Sequence, residues 1–227
     1  MTDQTTQLQL KDIRCQRGDR LLFKNLNFSC PKATLVRIGG PNGTGKTSLL
    51  RLIVGLMQPT QGQILWGGEP ITKLKEDFWK DLVYIGHLNG VKDELTVLEN
   101  LLINCEIGEH VITEEEAISA LERVGLVGFE NYLVRQLSQG QKRRVALARL
   151  YVASYAKLWV LDEPFVALDV KAVAELANQI VQYVNAGGIV IYTTHQEVPI
   201  AVNHSMQIDL SGGVWLRGKN LERSSRC

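Results

Sequence analysis

The sequence predicts an α/β fold: a mostly parallel sheet covered by helices, with an antiparallel β region near the N-terminus and an inserted helical region. Three observations predict it. A short apolar run, Leu35-Val36-Arg37-Ile38, leads through a glycine-rich loop into a helical apolar pattern over residues 47–54. Two continuous apolar runs, at 158–161 and 189–193, are bounded by turn residues. Strands apolar on both sides belong in a parallel sheet with both faces covered. Between residues 95 and 153 the apolar spacing turns helical.

In order, Leu8-Gln9-Leu10 and Leu21-Leu22-Phe23 flank the turn-forming cluster Arg17-Gly18-Asp19-Arg20. Leu26-Asn27-Phe28 alternates until Pro31-Lys32, so an antiparallel sheet is expected before the strand at 35–38. Residues 58–62 read as a turn, and Gln63–Trp66, Gly67-Gly68 and Pro70-Ile71 as a further hairpin. Leu82–Gly86 reads as a strand ending at His87. The segment 96–102 has helical spacing, and Thr113-Glu114-Glu115-Glu116 is a capping box opening a helix through Leu121 and Val124. Gly140 lies in a turn that opens a helix, and the basic run Lys142-Arg143-Arg144 reads as a solvated face. Residues 170–185 form a helix stopped by Gly187-Gly188. The remainder holds Met206–Leu210, which reads as a strand, and a basic tail. The whole, 1–227, reads as one domain. Residues 8–85 and 155–210 make its core and β subdomain, and 88–154 make a helical subdomain.

The glycine-rich loop carries the first chemistry. Gly40-Pro41-Asn42-Gly43-Thr44-Gly45-Lys46-Thr47 satisfies G-x-x-x-x-G-K-[ST]. Small residues let the backbone aim its N–H groups at a phosphate chain. Lys46 reaches the β- and γ-phosphates, and the Thr47 hydroxyl ligates Mg²⁺. The helix that follows presents its positive end to the anion. Two acids, Asp162 and Glu163, end the apolar run at 158–161. Beside a phosphate loop, Asp162 is placed to hold Mg²⁺ and Glu163 to orient and deprotonate an attacking water. His195 ends the run at 189–193 and reads as a γ-phosphate contact.

Composition narrows the setting. Of 227 residues 45% are hydrophobic, and the formal net charge is +1, so no phosphate-backbone partner such as nucleic acid is expected. No apolar run approaches the ~18 residues that span a bilayer. Met1–Gln7 lacks the pattern of a secretory signal. The expectation is a soluble cytoplasmic chain that meets a membrane through a partner. Cys15, Cys30, Cys105 and Cys227 form no C-x-x-C pair, so free thiols are expected, and Cys30-Pro31 reads as a strand-end turn.

The ordered set of phosphate loop, Leu137-Ser138-Gln139-Gly140-Gln141, Leu161-Asp162-Glu163-Pro164, Ala167-Leu168-Asp169 and Thr194-His195 resembles the nucleotide-binding subunits of ABC transporters. The resemblance covers about residues 8–210. It implies a RecA-like P-loop NTPase core, an ATPase activity with Mg²⁺, and a head-to-tail homodimer. In that dimer Ser138, Gln139, Gly140 and Gln141 face the γ-phosphate held by the other subunit, and Asp169 lies in a dimer-contact loop. His87 stands where such proteins place a glutamine beside Mg²⁺ and the water, and Gln139 replaces a glycine. Arg17 stands near the adenine-stacking position. Ile64-Leu65-Trp66 and residues 84–100 are further similar to the ATPase subunit of the cytochrome c maturation complex, the haem exporter. That resemblance implies a membrane permease partner, haem-handling membrane proteins nearby, and a peripheral place on the cytoplasmic face of a bacterial inner membrane. Two other readings are weighed against it. An ATPase of another exporter would share every motif outside 63–100. An ATP-gated module acting on nucleic acid or the ribosome would call for a second cassette or a coiled-coil insertion, and the chain shows neither.

Overall fold

The computed structural model describes residues 6–211 and 215–220, the last six as backbone only. The cysteine at 227, most of the basic tail and the first five residues lie outside the described residues. The chain opens with two long strands, β1 (Thr6–Arg17) and β2 (Arg20–Pro31), joined by the expected turn at Gly18-Asp19. Then come β3 (Thr34–Gly39), α1 (Lys46–Ile53), β4 (Gln61–Trp66) and β5 (Glu69–Pro70). Two short helices, α2 (Ile71–Leu74) and α3 (Glu76–Lys80), precede β6 (Leu82–Ile85). A helical stretch holds α4 (Val97–Ile107), α5 (Glu114–Arg123) and α6 (Gln139–Val152). The chain closes with β7 (Leu158–Leu161), α7 (Val170–Asn185), β8 (Ile189–Thr193), β9 (His204–Asp209) and β10 (Trp215–Asn220).

Two sheets result. One is antiparallel, in the order β2-β1-β4-β5. The other runs β10-β9-β3-β8-β7-β6 and is parallel throughout except for β10 on its edge. The expected fold class is therefore observed. The apolar runs explain themselves at side-chain level. Leu158, Val160, Ile189 and Ile191 enter the core shared with α1 and the antiparallel sheet. Trp159, Leu161, Val190 and Tyr192 enter a second core on the opposite face, with α6 and α7 residues such as Leu147 and Ile180. A strand whose alternate residues point into two different cores has no polar side, which is why the sequence shows no alternation. A third core gathers Val97, Leu101, Ala117, Leu121, Leu126, Val145 and Ala148 between α4, α5 and α6.

The structure departs from the sequence reading in four places, one of them β10, a strand where only a basic tail was expected. Gln61 and Gly62 belong to β4 rather than to the turn before it. A Cβ on Gly62 would lie 2.3 Å from the Lys11 carbonyl oxygen, so only glycine fits where β4 crosses the irregularity in β1 near Asp12. Ile71 opens α2 instead of closing a hairpin. Helices of four and five residues are too short to show a period, and α3 is fixed by tertiary contact. Phe78 packs edge-on against Trp66 at 5.7 Å, and the Trp66 indole N–H donates to Asp81. Last, the basic run is not a solvated face: Lys142 pairs with Asp93, Arg144 pairs with Asp169, and Arg143 is buried.

Candidate functional site

The phosphate loop joins β3 to α1. Gly40, Gly43 and Gly45 all have positive φ, at 129°, 79° and 104°. Gly45 also has the Phe23 ring 3.0 Å from where a Cβ would stand, so β2 packs directly on the loop. The Lys46 ammonium donates to the carbonyls of Gly40 (2.8 Å) and Pro41 (3.1 Å). The Thr44 hydroxyl donates to the Pro41 carbonyl at 2.9 Å. These bonds curl the loop over the end of α1, whose first-turn N–H groups have no acidic side chain to cap them. An anion is the natural partner of such an end.

The carboxylates arrive from the neighbouring strands. β7 runs beside β8 and β6, and the Asp162 N–H donates to the Ile85 carbonyl at 2.8 Å. Asp162 is 2% exposed. Its two oxygens accept from different hydroxyls, Thr47 at 2.9 Å and Thr193 at 2.7 Å. The Thr193 hydroxyl also accepts from the Glu163 N–H at 2.9 Å. One threonine at the end of β8 thus ties the two acids to each other, and Thr47 ties Asp162 to the phosphate loop. Glu163 has φ +50°, a left-handed conformation uncommon outside glycine. Its carboxylate meets His195 twice: the His195 backbone N–H donates at 3.3 Å, and the ring Nε2 lies 3.4 Å away.

An open cleft of about 570 Å³ collects these groups. Arg17, Asn42, Gly43, Gly45, Lys46, Thr47, His87, Asp162, Glu163 and His195, all named from the sequence, line it together. Gly40, Pro41 and Thr44 hold the loop from behind. Ser138, Gln139, Gly140, Gln141 and Asp169 do not line this cleft. Ser138 caps α6, accepting from the Gln141 N–H at 3.2 Å while the Gln141 side chain accepts from the Ser138 N–H at 2.9 Å. Gly140 passes so close to the Ala167 carbonyl that a Cβ would sit 2.8 Å from it. Asp169 caps α7 by accepting from the Ala172 N–H at 2.8 Å and pairs with Arg144. The Ala172 N–H first, and then the Arg144 charge, hold its carboxyl below the usual range.

Sequence reasoning missed Arg20, Thr193 and Arg143. Arg20 lines the cleft, with its guanidinium over Gly43. It sits in the same turn as Arg17, which was the available signal. Thr193 directly precedes the Thr-His pair. Arg143 gave no signal, because burial of one residue in a basic run depends on long-range packing.

The donor set suits a hard divalent cation. Thr47 Oγ1 and Asp162 Oδ2 stand 2.9 Å apart beside the phosphate loop. Among the described residues no group of three or more His, Cys, Asp or Glu gathers to hold a metal. One carboxylate, one hydroxyl and substrate phosphates are the ligands Mg²⁺ usually takes.

Comparison with known proteins agrees with this geometry. The family model described as ABC transporter matches residues 23–166. The cytochrome c biogenesis ATP-binding export protein CcmA of Dechloromonas aromatica is 50% identical over 85% of this chain and 94% of its own length. The protein of the same name from Aromatoleum aromaticum is 46% identical over 93% of this chain and 98% of its own. Among solved structures, a dimeric bacterial ABC transporter cassette superposes with a TM-score of 0.79 at 25% identity, covering 95% of this chain and 99% of that one. The ATP-binding subunit of an ABC transporter superposes at 0.82 with 22% identity, over 95% of this chain and 90% of that one, and speaks for the fold. The chain is thus an ATPase and belongs to the ABC transporter family, in the branch of the cytochrome c biogenesis ATP-binding export proteins.

Proposed function

We propose that this ATPase powers a membrane ABC complex in c-type cytochrome biogenesis, driving haem export or the release of a haem-loaded carrier. The name shared by its relatives supports the cytochrome setting. One observation carries the site chemistry: Asp162 bonds Thr47 of the phosphate loop, while Glu163, the next residue, opens into the same cleft.

The loop N–H groups and Lys46 hold the ATP phosphates. Thr47 and Asp162 would hold Mg²⁺, which would supply positive charge against the phosphates. Glu163 accepts the proton of the attacking water. His195 steadies that carboxylate and contacts the γ-phosphate. His87 offers an imidazole to the water from the end of β6, and Arg17 stacks its guanidinium plane on adenine. Ser138, Gln139, Gly140 and Gln141 face the γ-phosphate of a second copy, where the N-terminus of α6 meets an anion. Asp169 lies at the same contact. Residues 88–154 act as the helical subdomain, and a groove around 87–100 receives a permease, with two copies of each subunit in the complex. Haem-handling proteins join on the membrane side, and nucleic acid is no partner. The chain sits peripherally on the cytoplasmic face of a bacterial inner membrane. Among the described residues no helix is long and apolar enough to cross a membrane.

The test uses the Glu163→Gln chain. Turnover is expected to fall by roughly 10²–10⁴, the usual worth of a general base, with ATP binding retained. Wild-type turnover would remove Glu163 from this role. With ATP, the same variant should draw a cytochrome c maturation permease from detergent-solubilised membranes. Capture of an unrelated permease would discard the haem connection and keep the ATPase.

A further inference from the structure

Arg143 lies in the second turn of α6, five residues after the Ser138 cap, and is 4% exposed. No carboxylate neutralises it through a salt bridge among the described residues; oxygens of two separate segments surround it. Nη1 donates to the Gly86 carbonyl at 2.9 Å and to the Asn89 side-chain oxygen at 3.2 Å. Nη2 donates to the carbonyls of Asp162 at 2.8 Å and Glu163 at 2.9 Å. Its buried Nε has no partner. A planar fork with fixed donor directions fits four acceptors only when both segments hold one arrangement.

The two segments matter. Gly86 precedes His87 and Asn89 follows it by two, so one arm of the fork sets the loop after β6. The other arm grips the backbone of both carboxylates. Glu163 is in a left-handed conformation, which persists in an L residue only where its surroundings over-determine it. Its N–H is held by Thr193 and its C=O by Arg143. These two bonds bracket the strained residue and aim its side chain into the cleft.

We propose that Arg143 is a positioning residue for ATP hydrolysis. From α6 it fixes the loop that carries His87 and the backbone of Glu163, so a tilt of α6 reaches the carboxylate that activates water. The inference rests on the assignment of Glu163 as the base. Because α6 also carries Ser138 at its N-terminus, whatever contacts that end shifts the same fork.

The test measures ATPase kinetics of the full-length chain in its permease complex, with Arg143→Lys in the wild-type and Glu163→Gln backgrounds. Lysine keeps the charge and cannot span four acceptors. In the wild-type background kcat should fall roughly 10- to 100-fold, the scale of a misplaced catalytic group, with KM for ATP changed less than about threefold. In the Glu163→Gln background Arg143→Lys should cost clearly less, since only its hold on the loop that carries His87 is left to lose. Equal losses in both backgrounds, a rise in KM that accounts for the loss, or wild-type kcat would overturn the proposal. Wild-type kcat in Glu163→Gln alone would instead condemn the base assignment. If Arg143→Lys does not fold, Asn89→Ala removes one acceptor only. A kcat loss of roughly three- to tenfold at unchanged KM then supports the clamp, and unchanged kcat overturns it.

Discussion

Gly140 stands at a point of conflict between helix propensity and packing. It is the second residue of α6, where alanine would be favoured by less than the ~1 kcal/mol of a helix interior. Its missing side chain, however, is what lets the Ala167 carbonyl approach, and Ala167 is itself held at φ +63°. A Cβ placed 2.8 Å from a backbone oxygen cannot be relieved by turning a flexible side chain. Overpacking of this kind costs about 1–3 kcal/mol, so the clash outweighs the propensity gain. Gly140→Ala should therefore lower the melting temperature, by roughly 2–8 °C for a chain of this size. A calorimetric scan showing equal or higher stability would mean that the loop after Glu163 yields freely.

At the scale of elements, three helices in a row begin with the same device. Thr96 with Glu99, Thr113 with Glu116, and Ser138 with Gln141 each close a reciprocal capping box. The Glu99 carboxyl is held below its ordinary range by the Thr96 backbone N–H and then by the Thr96 hydroxyl. A carboxyl lowered in the folded state stabilises above its unfolded value, and that contribution disappears as the pH falls through the folded one. Glu99→Ala should thus melt lower than the parent at pH 7, and the gap should close as the pH falls below about 4.5. A gap that stays constant through acid would point to helix packing instead of the cap. All three fit the S/T-x-x-E/Q pattern, but only the one at Thr113, where three acids crowd the first turn, was named from the sequence. The strands at 158–161 and 189–193 were legible because burial on both faces leaves an unbroken apolar signature. α2 and α3 were not, since each is held through one buried side chain, Ile71 in the core and Phe78 against Trp66, and shows no local pattern. The site divides in the same way. Gly40–Thr47, Asp162 and Glu163 announce themselves through spacing. Arg143 takes its place from two segments 57 and 19 residues away, which no local reading of a basic run reveals.

For the whole molecule, the cap of α6 lies outside the cleft that holds the phosphate loop, so one copy does not bring the two together. A second copy is the proposed remedy, and the dimeric cassette it superposes on has the same fold. With ATP, the Glu163→Gln chain should elute from gel filtration at twice its monomer mass of 25.4 kDa. Adding Lys46→Ala should return it to a monomer. A dimer that ignores both changes would not be held by nucleotide.

The two-sided burial of β7 has a consequence for the order in which the molecule comes apart. Its four residues are all 0–1% exposed, and it is flanked on both edges by other parallel strands. Its amides can meet water only when β6 or β8 separates from it, so they should be among the slower to exchange hydrogen for deuterium. The acids that follow it are anchored to a part of the chain that lets go late. Heat should loosen α4 and α5, which pack in the small third core, while α6, whose Leu147 and Leu150 share the second core with β7, keeps the carboxylates beside the phosphate loop. A warmed preparation would then keep its grip on nucleotide after it had lost its answer to a partner.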